Sequence, residues 1–265
     1  MIRKPVVTGL FYPGEKEELN TMIDGFLSRA FKKVKSEKYR GIIAPHAGYV
    51  YSGQAQAFSY TAAIPARAVI LGVNHRGLGE QVALFGKGEW AVPNGQLKCD
   101  DEVGEMLLTE MPSLRIDPRA HSQEHSIEVQ VPFLIRRNPA VLITPVSMYD
   151  YSVETARTLG AAIAEVLKKF PETIIIASSD FTHYEPAETA GKQDSLAGEK
   201  ILAMDPDGLH GAVKNNSITL CGLGPIMTLL FAIPGGKAKK IFYDTSATAS
   251  GDSSSVVGYA SYGIK

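Results

Sequence analysis

The chain has 265 residues, of which 45% are apolar and 21% charged, and its formal net charge is −1. These proportions suit a chain that buries a sizeable core and exclude a disordered one. The near-neutral balance gives no excess of Lys and Arg for a nucleic-acid partner. The locally basic stretch 31–40 reads as a solvated helix end and loop.

No run of about 18 apolar residues is present, so no membrane span is expected. The opening MIRKPVVTGLFYPG lacks the apolar core of a secretory signal. Two cysteines, Cys99 and Cys221, do not make a disulfide framework, and a cytoplasmic location is expected. With no internal repeat and no linker-like stretch, residues 1–265 are expected to form a single domain.

In chain order, Leu19, Met22, Ile23, Phe26 and Leu27 fall at helical spacing and predict a helix over 15–33. Short continuous apolar runs predict buried strands at 41–44, 68–73 and 81–85. A helical pattern follows at 101–110, a strand at 141–146, a helix at 153–170 and a strand at 173–177. Helices over 187–204 and 222–231 precede strands at 240–243 and 256–262. This alternation predicts an α/β fold whose central sheet is mainly parallel, or mixed, with helices on its faces.

Three of the strand candidates run into reactive side chains. RGIIAP leads to His46, AVILGVN to His75, and TIIIASS to Asp180 with His183 three residues on. Ligands in open α/β sheets bind outside the carboxyl ends of the strands, so parallel neighbours would bring these endings to one rim. A lone His at a strand end is often only a hydrogen-bonded loop residue; three such endings favour a site. His is both the commonest metal ligand and the natural acid or base near neutral pH.

The segment PHAGYVYSG adds Tyr49 and Tyr51, whose phenols could face a pocket; packing is the preferred reading for Tyr51. Cys221, in TLCGLGP, precedes an apolar helix. A helix N-terminus lowers a thiol's pKa and favours the thiolate that binds metal. A buried structural Cys is the equal alternative, and Cys99 has no comparable setting.

His121, Glu124 and His125 spell H-x-x-E-H, the inverted zinc-peptidase pattern. Pro132 follows quickly and allows only a short helix, and no third ligand is evident. His125 or Glu128 is nevertheless a candidate for the same pocket by another route. No P-loop, dinucleotide fingerprint or nucleophile elbow is present.

The series RKPVVTGLFYP, PHAGYVYSG, LGVNH, EHSIEVQVPFL, SSDFTHY, CGLGP and GDSSSVVGYASY, in that order, resembles the Memo family over nearly the whole chain. The resemblance implies a fold like that of the class III extradiol ring-cleavage dioxygenases, which use non-haem iron. By motif it implies metal ligands at His46, His75 and Cys221, an acid/base histidine at His183, and Asp180 in the same pocket. Tyr49 and His125 join Asp180 as expected substrate contacts. Microbial members are often associated with a radical-SAM protein and a further partner, so such partners are expected here, as is symmetric self-association.

The dioxygenases hold iron with two His and a carboxylate. A thiol in place of the carboxylate departs from that pattern. Iron or copper is then favoured, with zinc as a further option, and ordinary catechol cleavage is disfavoured because thiolate is easily oxidised. The leading expectation is a metal-binding protein with a His/His/Cys pocket capable of redox or oxygenase-type chemistry on a small molecule. The alternative is a non-catalytic module that binds a small-molecule or peptide ligand on a vestigial dioxygenase fold.

Overall fold

The computed structural model describes all residues, 1–265. Its helices are α1 (Lys16–Lys33), α2 (Tyr49–Ser59), α3 (Asp101–Glu110), α4 (Val131–Arg137), α5 (Val153–Lys169), α6 (Ala187–Leu202), α7 (Pro206–Asn215), α8 (Leu223–Ala232) and the single turn α9 (Ala247–Ser250). Side-chain caps open three of them: Asp100 accepts from Val103 N–H, Ser152 from Thr155 N–H and Asp205 from Gly208 N–H. None is long and apolar enough to cross a membrane.

The strands are β1 (Ile2–Arg3), β2 (Gly41–Ala44), β3 (Arg67–Val73), β4 (Val82–Leu84), β5 (Glu89–Val92), β6 (Gly95–Lys98), β7 (Arg115–Ile116), β8 (Leu142–Met148), β9 (Thr173–Ser178), β10 (His183–Glu185), β11 (Ala238–Thr245) and β12 (Val256–Ile264). Nine form one mixed sheet in the order β10-β12-β2-β9-β3-β8-β4-β7, with β11 also paired to β12. Its centre is parallel: β2 pairs with β9, β9 with β3, and β3 with β8. The predicted α/β architecture, a mixed sheet flanked by helices, is the one observed.

Successive residues of the central strands serve opposite faces, as the period of two requires. Ile43, Val69, Leu71, Ile175 and Ala177 join a core under α5, α6 and α8. Ile42, Ala44, Ala68, Ile70, Ile174 and Ile176 join a second core under α1, α2 and α4. Both faces are therefore dry, which is why these strands read as unbroken apolar runs.

Several elements lie outside the sequence expectations: α2, α4, α7 and a small sheet ordered β1-β5-β6. Eight of the eleven residues of α2 are buried and the exposed ones include Val50 and Tyr51, so it carries no amphipathic stripe to read. Its Gly53 faces the Phe26 ring of α1, which a Cβ would strike.

The N-terminal segment is tied down by a buried ion pair between Arg3 and Glu128. Glu128 also accepts from the Tyr12 hydroxyl at 2.5 Å and from the N–H groups of Val6 and Val7. The Arg3 guanidinium donates to the His121 and Glu124 carbonyls and lies over the Trp90 ring. Segment 121–128 is thus clamped from below.

Removing one partner of a buried pair strands the other charge, at about 3–5 kcal/mol. Arg3→Ala is accordingly expected to lower unfolding stability by that amount in urea titration. A loss below about 1 kcal/mol, the ceiling typical of exposed pairs, would mean that the clamp is idle.

Candidate metal centre

The three adjacent parallel strands β2, β9 and β3 stop nearly level: Ala44 lies opposite Ser178, and Leu71 opposite Ala177. Two residues beyond each strand come His46, Asp180 and His75. The expected common rim is therefore present. Cys221 reaches it from the loop before α8, where Gly222 packs on the end of β9; a Cβ there would lie 2.7 Å from the Ser178 carbonyl oxygen.

One ligand atom from each of His46, His75 and Cys221 lies within 4.8 Å of the others. Cys221 Sγ is 3.2 Å from His46 Nε2. His46 is buried, while the side chain of His75 is 31% exposed and open to the cleft.

Hydrogen-bond bookkeeping fixes which ring nitrogen of each histidine is available, because carbonyls only accept. Pro45 O accepts from Gln130 Nε2 at 3.0 Å, and Val129 O accepts from Gln56 Nε2 at 2.9 Å, so both amide orientations are set. Gln130 Oε1 then accepts from Gln56 Nε2 and the Tyr60 hydroxyl, while its Nε2 also donates to Ser178 Oγ. The single hydroxyl proton of Ser178 goes to Ser126 O at 2.6 Å. His46 Nδ1, 2.9 Å from Ser178 Oγ, must therefore be the donor. That leaves Nε2 as a lone pair aimed at Cys221.

His75 is held in the same sense. Its main-chain N–H donates to Glu124 Oε2 at 2.7 Å and its Nδ1–H to Oε1 at 2.9 Å, freeing Nε2. Main-chain N–H groups of His125 and Ser126 donate to the same Oε1. Burial pushes the Glu124 carboxyl up, but the hydrogen bond and charge of His75, with His125 and Ser126 N–H, outweigh it and bring the pKa down to about 2. Glu124 is thus a fixed carboxylate behind the ring of His75.

Burial drives His46 well below the usual histidine range, and the charges of His75, His125 and His183 add to this. It is neutral at physiological pH, as a metal ligand must be. Asp180 grips the main-chain N–H of His46 at 2.7 Å. Burial raises its carboxyl, against the hydrogen bond from His46 and the charges of His183 and His75.

The thiol corrects one expectation. Burial pushes Cys221 above the ordinary thiol range and the neighbouring Asp180 charge adds to it; the N–H of Asp180, donating to Sγ at 3.2 Å, opposes both without overcoming them. The helix N-terminus alone does not make a thiolate here. A cation bound at this sulfur would have to displace its proton.

His183 sits on β10 with Nδ1–H donating to Thr219 O at 2.9 Å, so its Nε2 is also a free lone pair. His125, expected in the pocket, stacks on His75 with ring centroids 4.9 Å apart; burial takes its pKa down to about 4. Tyr49 does not reach the pocket. It is fully buried between Tyr12 and Phe133, and its hydroxyl donates to Val129 O at 2.7 Å.

The peptidase pattern dissolves. Pro118–His121 is a short 3-10 turn, and no α-helix carries residues 121–125. His121 is buried edge-on to Phe85 and Trp90, with Nε2 on Ala83 O. His75, Glu124 and His125 do form a second close group. Glu124 Oε1, however, already accepts three hydrogen bonds, so its role is to hold the ring of His75. Ser178, Gln130 and Glu124 were not singled out for these roles from sequence, although each lies in a stretch that carries the family resemblance; the H-x-x-E-H spacing around Glu124 pointed elsewhere.

His75 and Cys221 open on a cleft of about 580 Å³ lined by Asn74, Tyr149, Tyr151, Lys214 and the first turn of α8, with His46 buried behind them. Partners that orient a ligand histidine typically contribute 10–100-fold in metal affinity. Glu124→Ala is therefore expected to weaken zinc binding by about 10–100-fold in chelator competition. Unchanged affinity would show that the carboxylate does not orient His75.

The model of the Memo-like protein family matches residues 3–263. MEMO1 family proteins are similar along their full length: 42% identity over 281 residues for that of Methanocaldococcus jannaschii, covering 98% of each chain. Those of Desulfurococcus amylolyticus and Nitrosopumilus maritimus are each 39% identical, covering 97% and 98% of both chains. An uncharacterised Escherichia coli K12 protein of known structure shares the fold, with TM-score 0.54 and 14% identity over 85% of this chain and 99% of its own. From the family match and the full-length similarity to these relatives, the chain belongs to the Memo family.

Proposed function

We propose that His46, His75 and Cys221 hold one metal ion, iron or copper, and that the centre carries out redox or oxygenase-type chemistry on a small molecule in the adjoining cleft. The observation that carries this reading is the convergence of two Nε2 lone pairs and one thiol with both Nδ1 atoms already committed.

The donor set fits such an ion. Around a tetrahedral ion a sulfur and a nitrogen ligand sit about 3.5 Å apart. The Sγ to Nε2 distance is 3.2 Å, so only a small adjustment is needed. Neutral imidazoles and a thiolate suit iron, copper or zinc, and one-electron or oxygen chemistry is what iron or copper would supply there. Three protein ligands leave room for a substrate atom.

The remaining groups have work that does not depend on the ion's identity. His183, with Nδ1 pinned by Thr219, can accept a proton at Nε2 and return it to the substrate. Asp180 holds His46 by its main-chain N–H and places a carboxylate beside the proposed ion. The sulfur lies against buried main chain at Asp180, which shields one side of it from solvent.

Protein purified anaerobically with thiols reduced is expected to contain about one iron or copper per chain, lost in His75→Ala and Cys221→Ser. His183→Ala should keep the metal and lose oxygen consumption during a substrate screen. Metal at equal levels in wild type and His75→Ala would remove the ligand assignment. Metal retained with no oxygen consumption in any protein would favour the ligand-binding alternative.

A further inference from the structure

The cleft outside the metal ligands has an uneven charge. Its lining comes from the ends of β3 and β8, the last turn of α7 with the loop after it, and the first turn of α8. Lys214 is the only permanently charged residue on it, and no Asp or Glu lines it. The Lys214 ammonium lies 4.8 Å from the centre of the Tyr151 ring. The nearest acidic residue in sequence to that ring, Asp150, is committed to the start of α5, where it accepts from Ser152 N–H and the Thr155 hydroxyl.

The rest of the lining is mostly apolar: Met148, Ile218, Leu220, Leu223 and Pro225. Tyr149 and Tyr151 add two half-exposed rings. A volume of about 580 Å³ falls in the range of small-molecule sites, about 300–1,000 Å³. A cleft of this kind recognises a small apolar body by burial and discriminates among such bodies by its one charge. The dipole of α8, whose first turn lines the same space, acts in the same direction as Lys214.

We propose that the cleft selects a small organic anion with a ring-sized apolar body, and that Lys214 pairs with its negative group. The inference rests on the proposed metal centre, for which it names the substrate class. Lys214 acts as a specificity residue for that ligand, and the tyrosine rings flank its body.

Benzoate and benzamide test this, because they match in shape and differ in charge. Calorimetric titration of the wild-type protein should give benzoate a preference of about tenfold or more, the affinity equivalent of about 1.4 kcal/mol. In Lys214→Met the ratio should fall to near one with benzamide binding retained. Lys214→Arg should restore the preference. Equal binding of the two probes, binding of neither, or a preference that survives Lys214→Met would overturn the proposal.

Metal content measured on the same samples keeps the two readings apart. An anion preference that depends on Lys214 in a protein without metal would remove the metal centre and leave this inference standing. A metal-bearing protein with no preference would remove this inference alone.

Discussion

Three parallel strands that end nearly level are the constraint on which the rest depends. Because β2, β9 and β3 are neighbours in register, the chain delivers His46, Asp180 and His75 to one place without any long loop. Two carboxylates then fix the backbone where it leaves the sheet. Asp180 takes the N–H of His46 and Glu124 that of His75, each at 2.7 Å. A site set on strand ends inherits the rigidity of a sheet whose two faces are both packed.

The second feature is the commitment of Nδ1 in His46, His75 and His183. A polar chain running from Gln56 through Gln130 to Ser178 sets the ring of His46, Glu124 sets that of His75, and a main-chain carbonyl sets that of His183. Burying a polar chain is unfavourable unless its members are satisfied. Here nearly all are, and the result is three rings that present the same nitrogen. The Arg3–Glu128 clamp supports this from outside, because it steadies the segment that carries Glu124 and His125.

The sheet was legible because strands covered on both faces leave unbroken apolar runs such as GIIA and TIIIAS. The rim residues were legible because they follow those runs directly. Helix α2 was not, since it is mostly buried and its exposed positions Val50 and Tyr51 are not polar, so no polar face sets its period, and Tyr49 was misplaced with it. The Glu124 role was hidden inside a motif whose spacing suggested a helix that does not form. The thiol was misjudged because sequence reveals the helix that follows Cys221 but neither the burial nor the Asp180 carboxylate that oppose ionisation. The relay through Gln56, Gln130 and Ser178 joins residues up to 122 positions apart and leaves no local signal.

X-ray absorption at the metal edge of zinc-loaded protein tests the central claim most directly. One sulfur at about 2.3 Å with imidazole nitrogens at about 2.0–2.1 Å would be the signature of the His46, His75 and Cys221 centre. A shell of nitrogen and oxygen without sulfur would contradict it and move the ion to His75, Glu124 and His125.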